Sequence, residues 1–353
     1  MPIDPATEAA PVLKLRTPAD IVDAVPHLVG FQPDNSVVCM SLRGARRRLG
    51  LVSRVDLPPV RFARQFAAHA ARYLQHDGAE RVIAVFYPPD DGPSNGRVVA
   101  AVDALGKALA KRRIRVVEAL CVYDGKWWSL LCDDDECCPP EGTPVDPAVT
   151  SLLAAEMAVS GRVVFKSRAE LERTLRPIRG PGAREMRDAL SRAKSRVESA
   201  LAAAGRHDIA AESIDLYDAA VRARQTVDEA PTALAPDDAA RLIIALDDVS
   251  VRDEILTWAD GERGKALLRL LGELAPRAMK GFEAPVLTAY ALACYVQGNG
   301  ALAGMAVDRA RRADPGYNLA KLVDEALLRC VNPEVLRAWL RDLRVVLGDA
   351  TSG

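Results

Sequence analysis

The sequence predicts an α/β (α+β) N-terminal domain with a mixed sheet and hairpins, followed by an all-α helical, partly TPR-like (tetratricopeptide-like) C-terminal domain. Three observations predict this architecture. Helical and strand-like patterns alternate up to about residue 149, tight turns join strand-like runs near both ends of that stretch, and beyond residue 184 every apolar pattern has helical spacing. A chain of 353 residues is long enough for two hydrophobic cores.

The N-terminal domain is predicted to span residues 16–180, after a flexible tail over residues 1–15. Its first helix begins at Thr17, a capping residue followed by Pro18, and is broken by Gly30. The later elements are a hairpin (36–42 and 50–58), a helix (60–75), a strand (81–88), a helix (96–112) and a second hairpin (115–125 and 126–132). Phe62, Phe66, Ala70 and Tyr73 predict that the second helix is amphipathic.

Beyond residue 149 the patterns are helical, and residues 179–183 read as a linker before an all-helical domain over 184–350. One helix pair, 284–315, has a distinctive spacing. Its residues Leu287, Ala291, Ala303, Ala310 and Pro315 occupy positions typical of a TPR-type repeat. The spacing leaves two interpretations open, a helical-repeat surface that binds another protein and an ordinary helix pair with alanines at close contacts.

Composition excludes several classes of protein. Hydrophobic residues make up 49%, charged residues 27%, and the net charge is −1, so no overall field attracts nucleic acid or an anionic membrane. A basic excess over residues 161–205 is interpreted as a solvated helix face, and nucleic-acid binding is not expected. The sequence shows neither a membrane span nor a secretory signal. Its seven cysteines are an odd number and so a poor disulfide framework, which together with these observations predicts a cytoplasmic location.

The stretch CDDDECCPPEGTPVD, residues 132–146, concentrates the cysteines. Three interpretations compete: a zinc site on Cys132, Cys137 and Cys138, a reactive thiol, and a structural loop that covers the sheet with its cysteines buried. The spacing C-x4-C-C is not a standard zinc motif, and adjacent cysteines are expected to diverge. The structural loop is therefore favoured, no cofactor is predicted, and zinc is kept as the alternative.

Two further expectations concern this loop. A fourth zinc ligand would have to come from elsewhere in the chain, and five side chains offer one: Cys121, Cys39, His27, His69 and His76. The four acidic residues between the cysteines are expected to raise the pKa of the thiols, which argues against a nucleophile.

A second constellation lies at the entry to the first strand. Gly30 and Pro33 predict a tight turn, and Asp34, Asn35 and Ser36 follow it. These polar side chains suit hydrogen bonds to their own backbone at a strand entry. The alternative gives the Ser36 hydroxyl or the Asp34 carboxylate a place in a pocket at the strand end.

Both stretches together resemble a known family. VPHLVGFQPDNSVV and, about a hundred residues later, WWSLLCDDDECCPPEGTPV resemble the actinobacterial family DUF4192, a domain of unknown function, and the tail 284–323 is similar to its C-terminal helical part. The resemblance implies a cytoplasmic protein of two parts and carries no activity. It singles out a set of matching positions: Pro26, Gly30, Phe31, Pro33, Ser36, Cys132, Cys137, Cys138, Pro139, Gly142 and Thr143.

The sequence contains no dinucleotide-binding, P-loop, zinc-protease or nucleophile-elbow motif. The favoured hypothesis is therefore a non-enzymatic scaffold that binds another protein through its helical domain. The alternative is a metal- or thiol-dependent enzyme or small-molecule binder, with a site between the 26–36 turn and the 132–143 loop. Its candidate pocket residues are Pro26, Gly30, Phe31, Pro33, Asp34, Ser36, Gly142 and Thr143.

Overall fold

The structure is a computed structural model that describes residues 17–145, 164–203, 206–225 and 233–351. It divides into two compact units, Met1–Val164 and Phe165–Gly353. The division lies before the predicted linker at 179–183, because the segment after Phe165 joins the helical unit: the Ile178 N–H donates to the Pro276 carbonyl at 2.9 Å. The predicted tail (1–15) and most of the predicted helix at 149–164 lie outside the described residues.

A mixed six-stranded sheet forms the centre of the N-terminal unit, as predicted. Its strands follow the spatial order β2-β1-β3-β4-β5-β6, and among them β3 and β4 run parallel while the other neighbouring pairs are antiparallel. The strands are β1 (Ser36–Arg43), β2 (Arg48–Asp56), β3 (Arg81–Tyr87), β4 (Arg115–Tyr123), β5 (Lys126–Ser129) and β6 (Thr143–Pro144). The helices are α1 (Pro18–Val29), α2 (Ala63–His76) and α3 (Gly96–Ala110).

The start and end of α1 confirm the sequence signals. Thr17 Oγ1 accepts the Asp20 N–H at 3.2 Å, and an Asp20 carboxylate oxygen accepts the Thr17 N–H at 2.9 Å, which is a complete capping box. At the other end Gly30 has φ +85°, and its N–H donates to the Pro26 carbonyl. The helix therefore stops where the predicted turn begins.

Helix α2 is amphipathic as predicted, but its buried face differs from the aromatic stripe in the sequence. The side chains in the core are Ala63, Ala67, Ala71 and Leu74. Phe62 is 44% exposed, and Phe66 packs only at the edge of the core. Small alanine side chains let α2 lie close to its neighbours, and the larger aromatic rings cover the margin.

Both predicted hairpins form. Asp124 (φ +48°) and Gly125 (φ +70°) connect β4 to β5 in the left-handed conformation that two-residue hairpin turns favour. The β1–β2 pair is irregular, because its register shifts between Met40 and Leu42. Between these pairs β1 has one residue, Ser41, and β2 has two, Gly50 and Leu51, so the extra residue of this bulge lies in β2.

A buried carboxylate fills the space behind this bulge. Asp77, with a side chain only 3% exposed, accepts hydrogen bonds from the Ser41 hydroxyl, the Leu51 N–H (2.9 Å) and the Arg43 guanidinium (3.1 Å). Gly50 leaves room for this network, since a Cβ there would stand 2.2 Å from Arg43 Nε. The network ties the end of α2 to both strands.

The described residues of the C-terminal unit form helices joined by turns and short loops. Its helices are α4 (Arg168–Arg173), α5 (Pro181–Ala203), α6 (Arg206–Arg222), α7 (Pro236–Ala245), α8 (Val249–Thr257), α9 (Gly261–Leu274), α10 (Glu283–Val296), α11 (Gly300–Ala313), α12 (Asn318–Leu328) and α13 (Pro333–Thr351). Helices α10 and α11 pack as a pair, with Leu287, Ala291, Ala303 and Ala310 fully buried. That this pair is a TPR-type repeat stays a prediction. In the described parts of the chain, no helix combines the length and apolarity needed to cross a bilayer.

Candidate metal centre

The cysteine-rich loop leaves the sheet at the end of β5 and returns to it as β6. Thr143 pairs with Trp127 and Pro144 with Lys126, a short strand pairing that the sequence patterns did not predict. Two side-chain bonds fasten the loop between them: Trp128 Nε1 donates to the Pro140 carbonyl and Lys126 Nζ to the Glu141 carbonyl, both at 3.0 Å. The loop is therefore anchored at the strand that precedes it.

Gly142 is the residue that lets the returning chain approach Trp128. It has φ +81°, a conformation that favours glycine, and its N–H donates to the Pro139 carbonyl at 2.9 Å. A Cβ at this position would stand 2.4 Å from Trp128 Cε2, far inside van der Waals contact. The glycine is therefore needed for the shape of the loop, because a side chain at this position would collide with Trp128.

A single tight turn positions the cysteines. The Asp134 carbonyl accepts both the Cys137 N–H (3.2 Å) and the Cys138 N–H (2.7 Å). The Asp134 carboxylate accepts the Glu136 N–H at 2.9 Å, so this acid stabilises the turn. Because the chain curls back within five residues, the two adjacent cysteines are carried towards Cys132.

The three sulfur atoms of Cys132, Cys137 and Cys138 all lie within 4.8 Å of one another. Cys137 is exposed and the other two are half-buried. The favoured expectation, a lid with buried cysteines, is therefore wrong about their burial, because the turn lies at the surface. The expectation that adjacent side chains diverge is also wrong for this loop, since the turn at Asp134 brings both sulfurs to one side.

This spacing is close to what a tetrahedral metal needs. Zinc–sulfur bonds of about 2.3 Å at tetrahedral angles separate two sulfurs by about 3.8 Å. The observed upper bound of 4.8 Å exceeds that value by about 1 Å, which small side-chain rotations can close. The three thiols thus form a ready ligand set for a soft metal ion.

The side chains proposed as a fourth ligand do not complete this set. Cys39 and Cys121 are buried in the sheet, and burial raises the pKa of each thiol to about 12. No histidine or carboxylate of the described residues joins the three sulfurs as a further ligand, so His27, His69 and His76 are not members of the cluster. The described part of the chain therefore supplies three ligands.

The thiol of Cys138 has a perturbed acidity. Its partial burial, together with hydrogen bonds and charge repulsion from Cys132 and Cys137, raises the pKa of Cys138 to about 12. The direction agrees with the sequence-based expectation for this loop, whereas the cause differs. Burial and the neighbouring sulfurs, rather than the acidic side chains, raise the pKa of Cys138, so a metal-free cluster is a poor nucleophile at this position.

A cleft of about 350 Å³ opens beside the sulfurs. Its walls include Cys132 and Cys138, both tryptophans of β5, and the acidic side chains of Asp133 and Asp135. Of the eight candidate pocket residues, only Thr143 lines it.

The 26–36 turn contributes mainly buried side chains and backbone contacts to the fold. Phe31 and Ser36 are fully buried, and the Ser36 hydroxyl has no hydrogen-bond partner among the described residues. Asp34 is exposed, and its carbonyl accepts a bond from Arg54 at 3.2 Å. A pocket shared by this turn and the cysteine loop stays a prediction.

The sequence does not reveal the roles of two residues that shape the loop, Asp134 and Gly142. Asp134 was grouped with its acidic neighbours, although an acid two residues before a turn N–H is a known local signal. The contact of Gly142 with Trp128 joins positions fourteen apart, and no local pattern announces it.

These features define a two-unit protein: a mixed α/β unit that carries a three-thiol loop at the edge of its sheet, and a helical unit. The family model described as "Domain of unknown function (DUF4192)" matches residues 18–334. The chain therefore belongs to this family, which confirms the resemblance seen in the sequence. No curated protein and no solved structure matches the chain.

Proposed function

We propose that this protein binds a zinc ion through Cys132, Cys137 and Cys138. The observation that carries the proposal is the convergence of the three sulfurs within 4.8 Å on a loop anchored at both ends. Thiolates select soft or borderline metals, and zinc can bind three of them because its filled d shell imposes no coordination geometry of its own. Binding would release the thiol protons to solvent and hold three thiolates, which otherwise repel one another, on one cation.

The proposal includes a reducing, cytoplasmic location. The seven cysteines, all within the described residues, form no disulfide, and the three in the loop are close enough to react with one another under oxidising conditions. A reducing compartment keeps them as thiols and so keeps them competent to bind metal.

The test is the metal content of the full chain, purified under reducing conditions without chelator. We expect close to one zinc per chain in the parent and a loss of zinc in the Cys137→Ser, Cys138→Ser double variant. Cys330→Ser is the matched control, since Cys330 is a half-buried cysteine of the helical unit and its loss should leave the zinc content unchanged.

Two results would overturn the proposal. One is a parent chain that holds no zinc even after incubation with Zn²⁺ and removal of loosely bound metal. The other is equal zinc content in the parent and the double variant. A disulfide in the loop of protein kept under reducing conditions would point to redox chemistry instead.

A second proposal concerns the helical unit: it binds an amphipathic helix of another protein along α13. Val335, Trp339, Val345 and Val346 are each about half or more exposed on this helix, and the spacing of four and seven residues from Trp339 is typical of helix–helix contacts. Asp342 lies within this stripe and is exposed, so the partner helix is expected to carry a lysine or arginine opposite it.

Photo-crosslinking in cells tests this second proposal. A crosslinker at position 335 should capture a partner, whereas one at Arg344, on the other side of α13, should not. A peptide of the captured helix should bind the parent and lose binding to Trp339→Ala and Asp342→Lys. Equal capture from both positions, or peptide binding that survives both substitutions, would contradict the proposal.

A further inference from the structure

Within the described residues, the cysteine cluster offers a metal three protein ligands. Among the described residues, no carboxylate or histidine joins the three sulfurs. Zinc sites with four protein ligands are structural, whereas sites with three keep a position for water or a ligand. A zinc ion held here by Cys132, Cys137 and Cys138 would thus retain an open fourth position.

That open position would face a space large enough for a small molecule. The cleft of about 350 Å³ is lined by two of the three cysteines, Cys132 and Cys138. Its volume falls at the lower end of the range of about 300–1,000 Å³ typical of ligand pockets. Trp127 and Trp128 line the same cleft and provide aromatic walls.

The charges around the cleft favour a cation. A zinc ion with three thiolates carries a net charge of −1, and Asp133 and Asp135 line the cleft beside it. None of the described residues that line the cleft is basic. An anionic ligand would be repelled by both the metal centre and the wall, whereas a positive group would be attracted by the acids and by the aromatic rings.

Resting on the zinc site of the proposed function, we propose that the cleft binds a small aminothiol. Its sulfur takes the fourth position of the metal, and its ammonium group lies towards Asp133 and Asp135. The step is a ligand exchange: the thiol releases its proton to solvent, a new metal–sulfur bond forms, and a metal-bound water leaves. No oxidant or reductant takes part. Thiolate sulfur is a donor that suits a metal already bound by three thiolates.

Cobalt-substituted full-length protein provides the test, because Co²⁺ is coloured and its sulfur-to-metal absorption grows with each bound thiolate. Two thiols of similar size and opposite charge, cysteamine and 3-mercaptopropionate, would be titrated into it. We expect cysteamine to strengthen this absorption at a concentration at least tenfold lower than 3-mercaptopropionate. The Asp133→Asn, Asp135→Asn variant should remove most of that preference.

The control variant is Glu80→Gln, Asp103→Asn, which removes the same charge from acids that do not line the cleft. It should keep the preference for cysteamine. A three-thiolate spectrum that neither thiol changes, or that both change equally, would overturn this inference and leave the proposed metal site standing. Removal of cobalt by cysteamine would overturn it too. Absence of any thiolate-to-cobalt absorption before thiol is added would instead contradict the metal site itself.

Discussion

Replacement of Gly142 by alanine is the most direct test of how the loop is shaped. Two costs are expected. The left-handed backbone, φ +81°, costs alanine about 1 kcal/mol relative to glycine. The added Cβ would also stand 2.4 and 2.5 Å from two Trp128 ring atoms, and relief of such overpacking costs about 1–3 kcal/mol.

The ring of Trp128 cannot retreat freely, because its Nε1 donates to the Pro140 carbonyl at 3.0 Å and that bond contributes about 1 kcal/mol. Gly142→Ala is therefore expected to destabilise the N-terminal unit by about 3 kcal/mol in total. The matched control is Gly125→Ala. Gly125 has a similar φ of +70° but open space where a Cβ would stand, so this variant carries only the backbone cost of about 1 kcal/mol.

Urea unfolding of metal-free protein, followed by tryptophan fluorescence, measures the difference between the two variants. With zinc added, Gly142→Ala should also bind the metal more weakly than Gly125→Ala does, because the loop that carries Cys138 must shift away from Trp128. Equal destabilisation by the two variants would refute the reasoning, since it would mean that the contact with Trp128 costs nothing to disturb.

Three further predictions concern single side chains of the N-terminal unit. Asp77→Ala should lower the unfolding free energy by about 2–4 kcal/mol, because it leaves the half-buried Leu51 N–H and the buried Ser41 hydroxyl without this acceptor. Asp103→Asn, at an exposed side chain, should cost less than about 0.5 kcal/mol in the same urea experiment. Ser36→Ala should leave the unfolding free energy unchanged or raise it by up to about 1 kcal/mol, since it removes a buried hydroxyl that has no hydrogen-bond partner among the described residues. A loss above about 1 kcal/mol would show instead that the hydroxyl makes a hydrogen bond. The pKa of Cys138 rises from 9.0 to about 12 on folding, so the folded metal-free chain holds this proton more tightly than the unfolded chain does. The contribution of Cys138 to the unfolding free energy is therefore complete below pH 9 and is lost as the pH rises towards 12. Parallel curves of unfolding free energy against pH for the parent and Cys138→Ser above pH 9 would contradict this.

The elements that sequence predicts best are those fixed by local chemistry. The helix at Thr17 and Pro18 and the hairpin at Asp124 and Gly125 formed where their residues indicated, because capping and left-handed turns depend on a few neighbouring backbone groups. The family resemblance, which two short motifs indicated, was confirmed by a family model that matches residues 18–334.

Sequence was less informative where the partner lies far along the chain. In α2 the aromatic spacing drew attention to Phe62, yet the alanines one position away face the core. Either stripe fits helical periodicity, and only packing against the sheet and α3 selects one of them. Strand β6 is two residues long and forms only because Thr143 pairs with Trp127 of β5. Two residues are too few to show a strand pattern, so the sequence of β6 does not reveal this pairing.

The cysteine cluster shows why ligand spacing alone misjudged this loop. Standard motifs place two residues between paired cysteines because a short turn then brings both sulfurs to one metal. Here the Asp134 carbonyl accepts hydrogen bonds from two successive N–H groups, those of Cys137 and Cys138. Both cysteines therefore belong to the same turn, and their sulfurs lie on the same side of it. Cys132 meets them because the stretch before the turn leaves β5 and the stretch after it returns to β5 at Thr143. Adjacent cysteines can therefore face one ligand site when a turn ends on both of them, and the anchoring of the loop, rather than the spacing, decides whether they do.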